Sequence, residues 1–176
     1  MFLDQVRADM EAYFGADQKR IGHALQVTAF ARDLLANVDA DEQVTLAAAY
    51  LHDIGIHEAE RKHGSSGGKY QEIEGPAIAR QILENISADE NLITRVCEIV
   101  GKHHTPSGVD SPEFRIIWDA DALVNLREIL PGKAAEEIEA VLSKALVTEP
   151  GYQLARKQFL TDATQDCLPV DLSFEV

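Results

Sequence analysis

The period of the apolar residues constrains this chain more than any other feature. In runs such as "HALQVTAFARDLLANV" (23–38) and "EQVTLAAAYLHDI" (42–54) they recur at three- and four-residue spacing rather than in alternation, and the runs are rich in Ala and Leu. This predicts an all-α fold, with helices at roughly 2–14, 19–38, 41–54, 74–86, 89–104, 111–130, 133–147 and 150–163. Start signals agree: Asp41 precedes the third helix, Ser87 or Asp89 the fifth, and Ser111 with Pro112 opens the sixth. The longest irregular piece is His57 to Glu72, which contains "HGSSGGKY". On composition it reads equally well as a functional loop or as a flexible surface loop.

The chain has 176 residues, 45% of them hydrophobic, enough for one sizeable core, so one domain is expected over 1–176. Its formal net charge is −14, with 30 acidic against 16 basic residues. That disfavours an extended nucleic-acid partner or an anionic lipid surface. A small phosphorylated ligand remains compatible if a metal ion or a few placed Lys and Arg side chains meet it at short range. Cys97 and Cys167 are too far apart to form a zinc-thiolate motif and are expected to be ordinary reduced thiols. The N-terminal residues Asp4, Arg7, Asp9 and Glu11 interrupt what a secretory signal would keep apolar, and no run reaches membrane-spanning length. The expectation is a soluble, cytoplasmic protein with no membrane contact.

Residues able to ligate metal recur along the chain: His23, His52-Asp53, Glu74, His103-His104, and the acidic pair Asp119 and Asp121. A helical bundle can point one side chain from each of several helices into a shared cleft. Nitrogen and oxygen donors without thiolate suit a divalent ion: iron, manganese, nickel or zinc, with magnesium also allowed. Each residue also has a plain structural reading. A lone helical histidine is more often packed than ligating, Asp119 and Asp121 could form a solvated helix face, and Glu74 is equally well a first-turn acid favoured by the helix dipole.

The order of these residues resembles the HD-domain superfamily of metal-dependent phosphohydrolases. His23, then His52-Asp53 within "LHDIG", then Asp121 within "DADALVNL" look like its His, His-Asp, Asp signature, over about Arg20 to Asn125. The resemblance implies a helical bundle with a metal site between helices; the C-terminal helices 133–163 carry no motif, and their amphipathic pattern leads to the expectation that they pack over that core or form a homodimer contact. The resemblance implies that His23, His52, Asp53 and Asp121 ligate a first metal. Asp121 stands in the family's "Ala-Asp-x-Leu" context, which leaves Asp119 to orient a histidine or a metal-held water, with an exchange of the two roles left open. Two-metal members add a histidine at the start of the next helix and a His-His pair. Here "KHH" (102–104) matches the pair, while "EIEGPAIA" places Glu74 where those members have histidine. One or two ions are therefore expected, Asp53 bridging if there are two. With one ion, His103 or His104 would act as acid, base or phosphate contact.

The implied activity is hydrolysis of a phosphomonoester or phosphodiester bond, in a nucleotide or small phosphorylated metabolite, by a metal-activated water. Within that picture the 57–72 loop overhangs the site. Lys69 is the first candidate for a catalytic or phosphate-binding cation, with Arg61 and His63 beside it. The rival expectation is a non-catalytic metal- or nucleotide-binding regulatory module with the same fold.

Overall fold

The structure is a computed structural model that describes residues 1–105 and 109–160. Among these residues there are nine helices and no strand: α1 (Phe2–Phe14), α2 (Gln18–Leu35), α3 (Glu42–Leu51), α4 (Ile56–His63), α5 (Gly68–Asn85), α6 (Glu90–Val100), α7 (Pro112–Ile129), α8 (Ala135–Ala145) and α9 (Glu149–Phe159). None is long and apolar enough to cross a membrane. The all-α class read from the sequence is the class observed.

Helix α3 is the central rod. The Asp41 carboxylate caps it by accepting from the Gln43 and Val44 N–H groups. Every residue from Val44 to Leu51 is buried. The small side chains of Ala47, Ala48 and Ala49 let neighbours approach on all sides, and α3 packs against α1, α2, α6 and α7. A helix apolar all round can be stable only in such a position. Its last turn consequently delivers His52 and Asp53 to the middle of the molecule. Helix α7 begins as the sequence predicts, with Ser111 Oγ accepting from the Phe114 N–H and Pro112 in the first turn, and it lies along α2. Helix α9 packs on α7 and pairs with α8. The last three residues expected in α9, 161–163, and Cys167 lie outside the described residues, while Cys97 is a half-buried free thiol donating to the Pro76 carbonyl.

The principal departure is the expected loop 57–72. Residues 56–63 form α4, which ends at Gly64 in the left-handed conformation (φ 65°), and α5 begins at Gly68 rather than near 74. Only 64–67 are irregular between them. Ile56 and Ala59 supply a one-turn apolar stripe, too short to register as a period, and Glu58, Glu60, Arg61 and Lys62 are good helix formers. Pro76 reads as a helix start yet lies inside α5, where Gly101 makes room for its ring.

Gly55 determines how the turn after Asp53 meets α5. A β-carbon there would stand 2.6 Å from the Gln71 carbonyl oxygen and 2.7 Å from the Gly75 nitrogen, so backbone rests directly on backbone. Gly55→Ala is expected to destabilise the protein by about 2–3 kcal/mol, the upper part of the range for overpacking. Urea unfolding followed by circular dichroism would measure it, and an unchanged midpoint would show that the two segments can separate freely.

Candidate metal centre

The His52 side chain is fully buried just past the end of α3, and its Nδ1–H donates to the Ala49 carbonyl at 2.8 Å. That bond leaves Nε2 with a lone pair, and burial holds the ring's pKa below its ordinary value, keeping it neutral. His103, one turn of chain beyond α6, repeats the arrangement: Nδ1–H donates to the Val100 carbonyl at 2.8 Å and Nε2 points inward. Two buried imidazoles are thus locked by local backbone bonds in the tautomer a metal requires.

Asp53 lies between them. Its Oδ2 is 3.7 Å from His52 Nε2 and 3.6 Å from His23 Nε2, and its Oδ1 is 3.4 Å from His103 Nε2. Burial alone would raise the pKa of this carboxyl, but His52, His103 and His23 outweigh that and hold it far below the usual carboxylate range. His23, on α2, places Nε2 3.2 Å from His52 Nε2 and 3.0 Å from Asp121 Oδ1. Burial disfavours its charged form, yet the Asp121 and Asp53 carboxylates prevail and raise its pKa. Asn125, one turn along α7, donates to Asp121 Oδ1 at 3.0 Å and so holds that carboxylate in place. His104 is cradled by the first turn of α5: its N–H donates to Glu72 Oε1 at 3.0 Å, its Nε2 lies 3.5 Å from Gln71 Oε1, and its ring lies where a β-carbon on Gly68 would be.

Two ligand groups result, His23 with His52 and Asp53, and Asp53 with His103 and His104, each with its donor atoms within 4.8 Å of one another. Among the described residues, His103 Nε2 is the one buried side-chain nitrogen or oxygen without a hydrogen-bond partner. The Nε2 lone pairs of His52 and His103, the latter without a hydrogen-bond partner, and the anionic Asp53 carboxylate between them form a donor set that fits a divalent first-row ion. Of the candidate ligands, His23, Asp53, His104 and Asp121 line a cavity of about 230 Å³, while His52 and His103 are buried outside its lining.

The remaining expected site residues lie elsewhere. Glu74 is held by Lys62 Nζ at 2.7 Å and His63 Nε2 at 2.9 Å and faces a separate groove between α1 and α5. The α5 residue lining the metal-side cavity is Gln71, which the sequence reading missed, since a Gly-bearing stretch hid the helix start and with it the register. Its side-chain amide donates to the Ser66 carbonyl at 2.7 Å, which leaves Oε1 for the site. Asp119 does not orient a histidine. Two residues from Asp121, and so on nearly the opposite face of α7, it is buried and accepts from Val147 N–H, Thr148 N–H and the Thr148 hydroxyl, tying down the start of α9. Arg61 is engaged bidentately by Glu58, and Lys69 is exposed outside the cavity lining. The cations that do line it are Lys19 and Arg20, one turn before His23 on α2. Their spacing of four and three from a ligand histidine was the available signal.

Comparison with known proteins bears on the same residues. Positions 20–126 match the HD domain family. A ribonuclease Y from Sulfurovum sp. (strain NBC37-1) is 30% identical over 144 residues, covering 78% of this chain and 26% of that protein, so the chain spans about a quarter of that curated relative's length. A crystal structure of a protein described as a predicted HD superfamily hydrolase, from an uncultured Thermotogales bacterium, superposes with a TM-score of 0.59. It shares 26% identity and is covered to 88%, against 94% of this chain.

Asp119→Ala is expected to lower stability by about 1–3 kcal/mol, because backbone donors at the start of α9 lose their acceptor. Thermal unfolding should report that loss while metal content by mass spectrometry stays at the parent level. Loss of metal from this variant would place Asp119 back beside the ligands.

Proposed function

The chain belongs to the HD-domain family, and from that premise we propose that it is a metal-dependent phosphohydrolase acting on a phosphoester of a nucleotide or small phosphorylated metabolite. The observation that carries the reading is the sharing of Asp53 between two ligand groups whose buried imidazoles already point their lone pairs at its two oxygens. His52 and His103 would ligate through Nε2, His23 and Asp121 would complete the first group, and His104 the second. When bound, a divalent ion lowers the pKa of water from about 16 towards 7 and offsets charge on phosphoryl oxygens.

The protein's own contribution is preorganisation. The backbone carbonyls of Ala49 and Val100 hold the ring protons of His52 and His103 on Nδ1, so neither imidazole must change tautomer on loading. Asn125 fixes Asp121, Asp121 fixes His23, and burial keeps competing water away from His52 and His103. Asp53, held ionised, supplies the negative charge that makes a dication welcome in a buried place.

A net charge of −14 argues against carrying the RNA substrate of the ribonuclease Y relative over to this chain, since phosphate-backbone binding depends on neutralising many phosphates at once. The test is metal analysis and phosphoester turnover on protein purified without chelator, beside Asp53→Ala. The expected outcome is one to two equivalents of divalent metal and measurable hydrolysis of simple phosphoesters. In the variant the metal should be lost and turnover should fall by about a hundredfold or more, beyond the scale at which even outer-shell partners act. Metal without any turnover would favour a regulatory binding module built on the same fold.

A further inference from the structure

Resting on that reading, we infer that Lys19 and Arg20 form a phosphate-binding wall opposite the ligand carboxylates, and that this wall selects a terminal phosphomonoester on a small polar carrier. The cavity beside the candidate metal centre is lined by His23, Asp53, His104 and Asp121, and it also takes in Lys19 and Arg20 from the first turn of α2. Residues three and four apart on a helix share a face, with about 5–6 Å between β-carbons. The two cations therefore stand one turn from His23 and share its cavity.

These cations are also uncommitted. Arg20 meets a single carboxylate, Glu60, at 3.6 Å, and most of its donors remain free; among the described residues Lys19 makes no ion pair. By contrast Arg61 and Lys62 are each taken up by carboxylates at hydrogen-bonding distance, Arg61 by Glu58 and Lys62 by Glu58 and Glu74. Two free cations match the dianion of a monoester better than the single charge of a diester, and guanidinium presents paired donors to such a group.

The rest of the lining narrows the carrier. Asp121, Asn125 and Glu128 lie at spacings of four and three along α7, and all three line the cavity. Glu128 beyond the metal ligands offers an acceptor for a hydroxyl or amine. A volume of about 230 Å³ lies below the range of roughly 300–1,000 Å³ typical of larger ligand sites, which suits a phosphate with a short carrier rather than a polymer. The lining holds three carboxylates, Asp53, Asp121 and Glu128, against the two cations, so with neutral histidines an anion gains little there until metal is bound. Phosphate affinity should therefore depend on loaded metal and on Lys19 and Arg20 together.

The probe is inorganic phosphate, titrated calorimetrically into the metal-loaded protein, with Lys19→Ala/Arg20→Ala compared with the parent and with Lys144→Ala on the distant surface of α8 as a charge control. The double variant is expected to keep its metal and to bind phosphate about tenfold or more weakly, the scale of a lost charge-assisted hydrogen bond. The Lys144 variant should match the parent, and Arg20→Lys should recover part of the affinity. In turnover, the double variant should lose more activity on p-nitrophenyl phosphate than on bis(p-nitrophenyl) phosphate. Unchanged phosphate affinity with metal retained would overturn the phosphate wall and leave the phosphohydrolase reading standing. Equal losses on the two substrates would overturn the monoester preference. A parent protein that takes up no manganese or iron would overturn the phosphohydrolase reading and the wall with it. If the double variant fails to fold, Lys19→Gln and Arg20→Gln, checked singly by circular dichroism, carry the same comparison.

Discussion

A buried carboxylate that two sets of imidazoles converge upon sets the terms for the rest of this molecule. Asp53 is buried among His23, His52 and His103, whose Nε2 atoms stand within 3.4–3.7 Å of its oxygens, a crowd of donor atoms that a dication between them would reconcile. Each partner comes from a different part of the chain. The helices that bring them together, α2, the end of α3 and the turn after α6, are also those that bury the core. Packing and the site are therefore one arrangement: α3 must be apolar all round to run through the centre, and running through the centre is what puts its last residues where water is scarce.

Local backbone bonds then do the fine adjustment. The bonds from His52 to Ala49 and from His103 to Val100 each span three residues, and each settles a ring's orientation and tautomer without help from distant elements. The long-range contacts are reserved for the softer partners. Glu72 and Gln71 hold His104 from across α5, and Asn125 and Asp121 hold His23 from α7. The acidic surface, unfavourable for a polyanion, sits outside a cavity whose sign a bound dication would reset locally, with Lys19 and Arg20 in the same lining.

The candidate ligands His23, His52, Asp53, His103, His104 and Asp121 were legible because adjacent pairs at helix ends and an ordered signature survive in one dimension. Glu74 and Asp119 misled for opposite reasons. The resemblance placed Glu74 as a ligand at the start of a helix expected near 74, but α5 begins at Gly68, and that register turns Gln71 towards the cavity and Glu74 towards Lys62 and His63. Asp119 stands beside the ligand-bearing segment in sequence, yet a two-residue step on a helix rotates it to the far face of α7, where it anchors the start of α9. Lys69, Arg61 and His63 were chosen for lying in an expected loop that is in fact mostly helix.

Composition, period and capping residues by themselves determined the all-α class, the helix starts at Asp41 and Ser111, a further start at Ser87 or Asp89, and the donor chemistry, because those depend on local propensity, capping and residue type. Only the tertiary structure decided which acids meet the histidines, which cations reach the cavity and which glycines carry backbone against backbone. Those outcomes depend on the rotation of each helix about its axis, and that rotation is set by the packing of the whole core rather than by any short stretch of chain.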